Sequence, residues 1–416
     1  MVQNASLSRW RPRVRVSSAP FFFIFMKVGI IGAGAVGNVI LNHIYGSSII
    51  KEVHILDFDK KALKRIEKRR NIVFHNKDAT DIESLKNFVE NINLVVNAAT
   101  PSINMQVMEI CYDNKVDYID LANDEIDQQL KLQDKWKKRG ISAILGMGVD
   151  PGLSNIFAKY ISNKLDVVKE IRIRDGDTSY TKEYILAVLY SPSVFLDEVL
   201  YYPAIVYRRG KFYLEPPLSG EEVYKFPNPV GRLSVYGVSH EEVETLPHYL
   251  NKEVEYVDFK LSFSKEVIQI LFALDRMGLT KKTEIKMGGR KIIPRDVLIR
   301  LMPRPDFLVG KVKGHAVVVT EIRGIIGKDK ITHKLFTLMS HEEAFSKYNT
   351  TATAFQTGTP PAALILLMAQ RKIKKKGVYP AEELPAELLL RKIKQMGLPM
   401  EEEIVVRKEL MSKIYS

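Results

Sequence analysis

From residue 27 the chain alternates short apolar runs with segments in which apolar residues recur every three or four positions. The runs have the length of strands, and the segments between them have the period of amphipathic helices. Because the runs are apolar almost throughout, they predict strands covered on both faces, as in a doubly wound parallel sheet. The six predicted strands are KVGIIG, EVHILDF, NIVFHN, NLVVNAA, VDYIDL and ISAILGM.

The pattern changes after about residue 165. Segments such as KEIRIRDGDTS, VEYVDFKLSF and ITHKLFTLMS alternate apolar with polar residues, which predicts strands of an antiparallel sheet with one wet face. Helical segments lie between them, so we expect a second, α+β domain. A helical pattern returns near residue 350. We therefore divide the chain into a Rossmann domain at 26–152, an α+β domain at 153–345 and a C-terminal helical segment at 346–416.

Residues 1–25 differ from the rest, since they contain four arginines, no acidic residue and a short apolar cluster. We interpret them as a disordered extension or a misassigned start, with the folded domain beginning at Met26. A targeting segment or an oligomer contact is the alternative. A membrane span is disfavoured because Lys27 and several glycines interrupt the apolar run.

Composition narrows the function. A chain of 416 residues is long enough for two domains. The formal net charge of +13 attracts anions, but the lysines are scattered and no basic helix is interleaved with aromatic residues, so we expect no nucleic-acid partner. A single cysteine, Cys111, forms no internal disulfide, which fits a reducing, cytoplasmic location.

The segment GAGAVG places Gly32, Gly34 and Gly37 in the GxGxxG spacing. It follows a predicted strand, opens a helix and precedes Asp57, twenty residues beyond Gly37, at the end of the second strand. This context predicts a dinucleotide site, with the pyrophosphate at the helix N-terminus and Asp57 accepting from a ribose diol. A carboxylate there disfavours a 2′-phosphate, so we expect NAD rather than NADP, although Lys60 and Lys61 lie close behind.

The carboxyl ends of the later parallel strands are expected to line the same crevice. The predicted cofactor contacts are therefore Gly32, Ala33, Gly34, Ala35, Val36, Gly37, Asp57, Phe58, Asp78, Ala79, Asn97, Ala98, Ala99 and Thr100. Asp120 after the fifth strand and Asp150 after the sixth lie beside them, where a nicotinamide and a substrate would meet.

Several segments together resemble the saccharopine dehydrogenase family: KVGIIGAGAVG, VVNAATP, YIDLAND, GMGVDPGLSN, HEEVETLP and TGTPPAALILLMAQRKIKKKGVYPAEE. The resemblance runs from Met26 to near residue 400 and is to the short, single-function members. It implies NAD(P)-dependent hydride transfer at a carbon–nitrogen bond, a substrate domain built on a mixed sheet, C-terminal helices that return to the Rossmann domain, and a homodimer.

Three activities are open within that resemblance: saccharopine dehydrogenase, lysine 6-dehydrogenase and carboxynorspermidine dehydrogenase. The segment PSINMQVMEI lacks the lysine that fungal saccharopine reductases carry after the fourth strand. The segment LDFDKK lacks the arginine that carboxynorspermidine enzymes tend to carry after the second, which lowers the polyamine alternative. A protein of a different class, one that binds NAD without turnover, is disfavoured by the acidic residues and histidine near the crevice.

Amine oxidation needs a group that moves protons and fixed partners for the substrate. We expect Asp150, His240 and Asp120 to be catalytic, with Asp150 alternatively a helix cap. His240 has a suitable intrinsic pKa. Substrate contacts are expected from Asn155, Glu241 and Thr245, with Arg174 and Arg290 as carboxylate anchors. No cluster has metal-ligand spacing, so no metal is predicted. The substrate is expected to be a small amino-acid or polyamine-type molecule.

Overall fold

The computed structural model describes residues 25–407. The interpretation of the N-terminal extension therefore lies almost wholly outside the described residues. Two sheets dominate the fold. The first is parallel and is doubly wound by helices on both faces, as its apolar strands predict. Its elements, with α7 leading into the second sheet, are β1 (Met26–Ile31), α1 (Ala35–Ile44), β2 (Ile50–Leu56), α2 (Lys60–Arg65), β3 (Ile72–His75), α3 (Ile82–Val89), β4 (Leu94–Asn97), α4 (Asn104–Asn114), β5 (Asp117–Asp120), α5 (Ile126–Leu130), α6 (Gln133–Arg139), β6 (Ser142–Leu145) and α7 (Leu153–Ser162).

The second sheet is mixed, since β7 and β12 are parallel and its other pairs are antiparallel. Its longest strands, β15 and β16, form a hairpin whose apolar side chains alternate between the two faces. The elements from β7 onward are β7 (Val167–Asp177), α8 (Pro192–Leu200), β8 (Ala204–Arg208), β9 (Lys211–Glu215), β10 (Ser219–Lys225), β11 (Arg232–Gly237), α9 (Glu242–Tyr249), β12 (Tyr256–Ser262), α10 (Lys265–Arg276), β13 (Ile285–Met287), β14 (Arg290–Ile292), α11 (Pro294–Leu301), β15 (His315–Ile326), β16 (Asp329–Ser340), α12 (His341–Tyr348), α13 (Ala352–Ala369), β17 (Gly377–Pro380), α14 (Ala386–Gln395) and β18 (Glu401–Arg407).

The strand orders are β17-β6-β5-β4-β1-β2-β3 in the first sheet and β10-β11-β12-β7-β15-β16-β18 in the second, where β8 and β9 extend from β12. The first order reverses direction at β1 and β4, which opens a crevice at the carboxyl ends of these strands. The prediction of a Rossmann sheet followed by an α+β region with a mixed sheet is confirmed.

The C-terminal segment is not only helical, and the prediction of six strands in the first sheet is wrong. Strand β17 pairs in parallel with β6 as a seventh strand, and β18 pairs with β16 in the second sheet. Both were missed because β17 is only four residues long and β18 begins with three glutamates. The segment thus returns to both sheets.

Helix α13 brings this segment onto the Rossmann helix α1. Most of α13 is buried, and at Gly358 a Cβ would lie 2.7 Å from Val39, so only glycine permits this helix approach. Among residues 25–407 no helix combines the length and the apolar character required to cross a membrane.

Candidate active site

In the glycine turn between β1 and α1, packing within the chain requires glycine at two of the three positions. Gly32 has a φ of +101°, and a Cβ there would lie 2.8 Å from the Ala98 carbonyl. At Gly37 a Cβ would lie 2.0 Å from the Gly32 carbonyl, so the helix and the turn pack directly together. At Gly34 a Cβ would meet nothing within 4 Å. The turn therefore leaves open space at the N-terminus of α1, where a pyrophosphate is bound by backbone N–H groups.

Asp57 joins this turn to the end of β2. Its Oδ2 accepts from the Ala33 N–H at 2.7 Å, and its Oδ1 accepts from the Asp59 N–H at 2.7 Å. The neighbouring Phe58 is 75% exposed at the same edge. This arrangement fits a dinucleotide whose adenosine ribose lies against Asp57.

The other predicted cofactor residues lie on the loops after β3 and β4. Asn97 is buried and donates to Asn104 at 2.7 Å and to the Thr100 carbonyl at 3.0 Å, while it accepts from the Ala99 N–H at 3.1 Å. The Asn97 side chain therefore shapes the Ala98–Thr100 loop, and mainly the backbone groups of Asn97 are left to contact a cofactor. Asp78 accepts from the Thr80 N–H and hydroxyl at 2.9 and 2.8 Å and so holds its own loop in the same way.

The segment 146–152 folds into a tight turn between β6 and α7. At Gly152, where φ is +128°, a Cβ would lie 2.3 Å from the Gly148 carbonyl, so the turn closes only with glycine. Asn155 caps α7 by accepting from the Gly152 N–H at 2.9 Å. The N-cap residue of α7 is Gly152, and no side chain caps the helix from that position, which favours the catalytic alternative for Asp150 over the helix cap.

Asp150 is instead a buried carboxylate beside a second one. Its Oδ2 is buried and has no hydrogen-bond partner among the described residues. Burial raises the pKa of Asp150 well above its usual range, and the negative charge of Asp175 raises it further. Burial raises the pKa of Asp175 as well, so the pair retains a proton at neutral pH.

His240 lies at the centre of further carboxylates. Its Nδ1 is 2.5 Å from Glu242 Oε2, and its Nε2 is 3.5 Å from Glu198 Oε1. The ring stacks on Phe259, with the centroids 3.6 Å apart and the planes at 14°. Burial acts to lower the pKa of His240, but Glu242, Glu198 and Glu241 outweigh it and raise the pKa well above its usual value. His240 is therefore a fixed imidazolium.

Glu241 connects this group to the crevice. Its Oε1 accepts from the Asn123 N–H, in the loop after β5, at 2.5 Å. Burial raises the pKa of Glu241 to about 7. The contact places the carboxylates at the carboxyl edge of the first sheet, beside the ends of β5 and β6, which is where a nicotinamide lies in this fold.

Two more glutamates come from distant parts of the chain. Glu198, on α8, accepts from the Tyr190 hydroxyl at 2.9 Å, and burial raises its pKa. Glu382 follows β17, is fully buried and accepts from Asn155 Nδ2 at 3.0 Å, while its Oε1 has no partner among the described residues. Burial raises the pKa of Glu382 to about 7. We refer to the following set as the acidic cluster: Asp150, Asp175, Glu198, Glu241, Glu242 and Glu382.

Asn155 and Thr245 lie behind the acidic cluster and connect its parts. Both are buried, and Asn155 Nδ2 approaches the Thr245 hydroxyl at 3.4 Å. Ser154, next to Asn155, donates to Glu242 at 2.8 Å. These bonds favour a positioning role for Asn155 and Thr245, and their contact with substrate stays a prediction.

Asp120 differs from Asp150 although both follow strands of the same sheet. Its Oδ1 accepts from the Gly146 N–H at 2.7 Å and its Oδ2 from Gln129 at 2.8 Å, and the residue is fully buried. Burial raises the pKa of Asp120 to about 6. With both oxygens bonded to neutral donors it holds the start of the 146–152 turn, which favours a structural role, and its catalytic role stays a prediction.

Neither predicted arginine anchor reaches the acidic cluster. Arg174 is fully buried and makes a bidentate pair with Asp258, at 2.9 Å for both bonds, and a third bond to Glu222 at 2.8 Å. Its side chain is directed away from its neighbour Asp175, because successive residues of a strand point to opposite faces. Arg290 is exposed on the separate β13–β14 hairpin. Their role as anchors for substrate carboxylates stays a prediction, and these positions do not favour it.

The absence of a metal stays a prediction. His240, Glu241 and Glu242 bring potential ligand atoms within 4.8 Å of one another. The direct contact between His240 and Glu242 occupies two of those atoms, and an imidazolium is not a metal ligand.

The sequence analysis did not predict three residues of the acidic cluster, Asp175, Glu198 and Glu382. Asp175 lies in an alternating strand pattern, and Glu198 lies in an ordinary amphipathic helix, where an acidic residue usually faces solvent. Glu382 belongs to the GVYPAEE segment, which carries part of the family resemblance but has no pattern that indicates a site residue.

A glycine turn of the dinucleotide-binding type lies beside a group of buried carboxyl residues, and this combination is typical of a nicotinamide-dependent oxidoreductase. The chain belongs to the saccharopine dehydrogenase family. Residues 28–144 match the saccharopine dehydrogenase NADP binding domain, and residues 148–398 match the saccharopine dehydrogenase C-terminal domain. It is accordingly an NAD(P)-dependent enzyme that acts on a carbon–nitrogen bond.

Similar curated proteins extend over nearly the whole chain. The carboxyaminopropylagmatine dehydrogenase of a Synechocystis species is 26% identical over 91% of this chain and 98% of its own length. The carboxynorspermidine synthase of Vibrio cholerae is 27% identical over 90% of this chain and 96% of its own.

Two solved structures share the fold. The glutamate-forming saccharopine dehydrogenase of Saccharomyces cerevisiae has a TM-score of 0.69 at 15% identity and covers 91% of this chain and 100% of its own. The homospermidine synthase of Legionella pneumophila, solved with NAD, has a TM-score of 0.69 at 15% identity and covers 91% of both chains.

Proposed function

We propose that this enzyme interconverts an imine and a secondary amine in a carboxyaminopropyl adduct of a polyamine or of agmatine. The observation that carries the proposal is the acidic cluster, in which five of the six carboxyl groups act electrostatically on the imidazolium of His240. Ionising buried carboxyl groups this close together is expensive without a cation, and a substrate with several ammonium or guanidinium groups supplies it.

The positions of the arginines favour a polyamine adduct over saccharopine. Saccharopine carries three carboxylates, which need cationic anchors. Arg174 already binds Asp258 and Glu222, and Arg290 lies on an exposed hairpin. A polyamine adduct carries one carboxylate and more positive charge. The two similar curated proteins are a carboxyaminopropylagmatine dehydrogenase and a carboxynorspermidine synthase, which also supports a polyamine-type substrate over saccharopine.

The residues suit the following chemistry. A nicotinamide cofactor held by the glycine turn would supply hydride-transfer chemistry at the carbon of the carbon–nitrogen bond. Asp150, which retains a proton with Asp175, gives that proton to the substrate nitrogen as the carbon–nitrogen double bond becomes single. In the reverse direction it takes the proton back. His240, held by Glu242 and Phe259, fixes the charge pattern around the substrate.

The test is a panel of amines with NAD+ or NADP+, followed by the absorbance of the reduced cofactor. We expect carboxynorspermidine or carboxyaminopropylagmatine to have the highest kcat/KM, and saccharopine and lysine to be at least ten-fold poorer. A preference for saccharopine would overturn the proposal. Cofactor binding without turnover of any amine would instead favour a non-catalytic NAD-binding protein.

We also propose that NAD is preferred to NADP. The proposal is supported by Asp57, which bonds to the glycine turn from the end of β2, where a carboxylate typically accepts from the ribose diol and would repel a 2′-phosphate. Lys60 and Lys61 are exposed on the first turn of α2 and are the groups that would weaken this preference. Titration of both reduced cofactors by fluorescence quenching tests the proposal, and tighter binding of NADPH would contradict it.

A further inference from the structure

Arg295 is a buried arginine outside the acidic cluster. It lies in the first turn of α11 and is only 2% exposed. Its Nη2 donates to the Ser193 carbonyl at 2.6 Å and lies 2.9 Å from Asp197 Oδ2, and both partners are on α8. Its Nη1 is also buried but has no hydrogen-bond partner among the described residues. A buried charged donor is costly without an acceptor, so Nη1 suits a ligand that carries one.

The charges around Arg295 favour an anionic ligand. Asp197 is shared between two cations, because its Oδ1 lies 2.9 Å from Lys282 Nζ while its Oδ2 contacts Arg295. One carboxylate thus faces two positive charges, and the excess positive charge attracts an anion. A guanidinium group matches the planar shape of a carboxylate in particular.

This group adjoins the acidic cluster at two points. Asp197 directly precedes Glu198 of the cluster on α8. Asp124 lies in the loop after β5, and its neighbour Asn123 donates its N–H to Glu241 of the cluster at 2.5 Å. Asp124 is exposed, so its carboxylate is free to contact a ligand in the crevice.

Three of these charged side chains act on one hydroxyl group, that of Tyr202, which is 41% exposed just beyond α8. Partial burial raises the pKa of Tyr202, the negative charges of Asp197 and Asp124 raise it further, and the positive charge of Arg295 lowers it. A cation with an unused donor and an exposed carboxylate therefore lie around the same tyrosine, beside the acidic cluster.

We propose that Arg295 and Asp124 form a subsite for the carboxyaminopropyl end of the substrate, in which Arg295 Nη1 binds the carboxylate and Asp124 binds the neighbouring ammonium group. The inference rests on the proposed function. The acidic cluster repels a carboxylate, so the anchor for that group has to lie beside the cluster and not inside it. One buried arginine also matches the single carboxylate of a polyamine adduct better than the three of saccharopine.

Substitution of Arg295 tests the subsite with two amines that differ only in the carboxylate. In Arg295→Met we expect KM for carboxynorspermidine to rise about 10- to 100-fold, the scale of a charged hydrogen bond, with kcat little changed. Norspermidine is the same triamine without the carboxylate, and its Ki as a competitive inhibitor should stay unchanged. A merely structural role of Arg295 would raise both constants together.

Three further variants complete the design. In Arg295→Lys the ammonium group can keep the ion pair with Asp197 but offers no second nitrogen, so we expect a natural melting temperature with a raised KM. In Asp124→Asn both KM and the Ki of norspermidine should rise, since both amines carry the ammonium group. Arg300→Met, an exposed change on the same helix, is the matched control and should leave both constants unchanged.

Two results would overturn the subsite while leaving the proposed function intact. One is an Arg295→Lys variant with natural KM for carboxynorspermidine. The other is an equal rise in KM and in the Ki of norspermidine in Arg295→Met. A natural chain that turns over no carboxyaminopropyl adduct would instead contradict the proposed function, and the subsite with it.

Discussion

The glycine turn and the acidic cluster meet at one edge of the first sheet but recognise their ligands by opposite means. The turn works through the backbone. Gly34 leaves open space, and the N-terminus of α1 attracts an anion into it without a basic side chain. The cluster works through buried carboxyl groups whose pKa values are raised, and it attracts cations. We therefore expect substrate binding to depend on pH and cofactor binding to be independent of it. Mutations in the cluster and in the turn should affect the two kinds of binding separately.

The largest separation is expected at Asp150. In Asp150→Asn the shape of the turn is kept, but the group that exchanges a proton with the substrate nitrogen is lost. We expect turnover to fall by roughly 10²-fold or more, the usual scale for a proton-transfer group. Cofactor affinity, measured by fluorescence quenching, and melting temperature should stay unchanged. A variant with near-normal kcat/KM would shift the proton-transfer role to His240.

Asp120→Asn is the matched control for that experiment. Asp120 accepts from two neutral N–H donors, so replacing one oxygen with an NH2 group leaves a donor facing a donor. This should cost about 1–3 kcal/mol of unfolding free energy. The two substitutions are chemically identical, and only their surroundings predict which one removes activity and which one removes stability.

The same contrast explains what the sequence could predict. The glycine turn and Asp57 lie within twenty-six residues, and their spacing reflects a local strand–turn–helix geometry, so both were found. The acidic cluster is assembled from the 146–152 turn, β7, α8, the start of α9 and the segment after β17. A single acidic residue in each of these elements resembles a solvated one, and only tertiary packing shows that Asp175, Glu198 and Glu382 are buried together.

Substrate recognition should be sensitive to the cluster and cofactor recognition should not. In Glu198→Gln one carboxylate near His240 becomes neutral while its shape is kept. We expect KM for the cationic substrate to rise about ten-fold, the scale of a charged hydrogen bond, with cofactor affinity unchanged. Glu266→Gln, an exposed change on α10, is the control. Equal effects of the two variants would mean that only long-range charge is being sensed.

The reverse separation is expected in the glycine turn. In Gly34→Ala the added methyl group meets no protein atom and occupies the space open to a pyrophosphate. The variant should fold normally but bind NADH roughly five-fold more weakly, with little change in KM for the amine. Gly37→Ala is the contrasting change, because its methyl group would lie 2.0 Å from the Gly32 carbonyl and should lower the melting temperature instead. Unchanged NADH affinity in Gly34→Ala would place the pyrophosphate elsewhere.

Proton binding by the cluster should also appear in stability. Glu241 and Glu382 each have a pKa near 7 in the folded chain, above the value of about 4.3 in an unfolded chain. The folded state therefore binds their protons more tightly, so their contribution to stability is complete below pH 4 and is lost as the pH rises through 7. Without substrate, the melting temperature should fall from pH 5 to 8, and less so in Glu382→Gln.

The smallest effect that we expect is the pH dependence of substrate binding. As the pH rises from 6 to 8, Glu241 and Glu382 lose their protons, while aliphatic ammonium groups with a pKa of about 10 keep theirs. The attraction between cluster and substrate grows, so KM for the amine should fall a few-fold across this range, and the Kd of NADH should not change. In Glu382→Gln one of the two titrating groups is gone, and the fall in KM should be shallower. A KM that rises with pH would show that the cluster binds the neutral amine. The cluster would then not be a cation site, and its contrast with the anion-binding glycine turn would no longer hold.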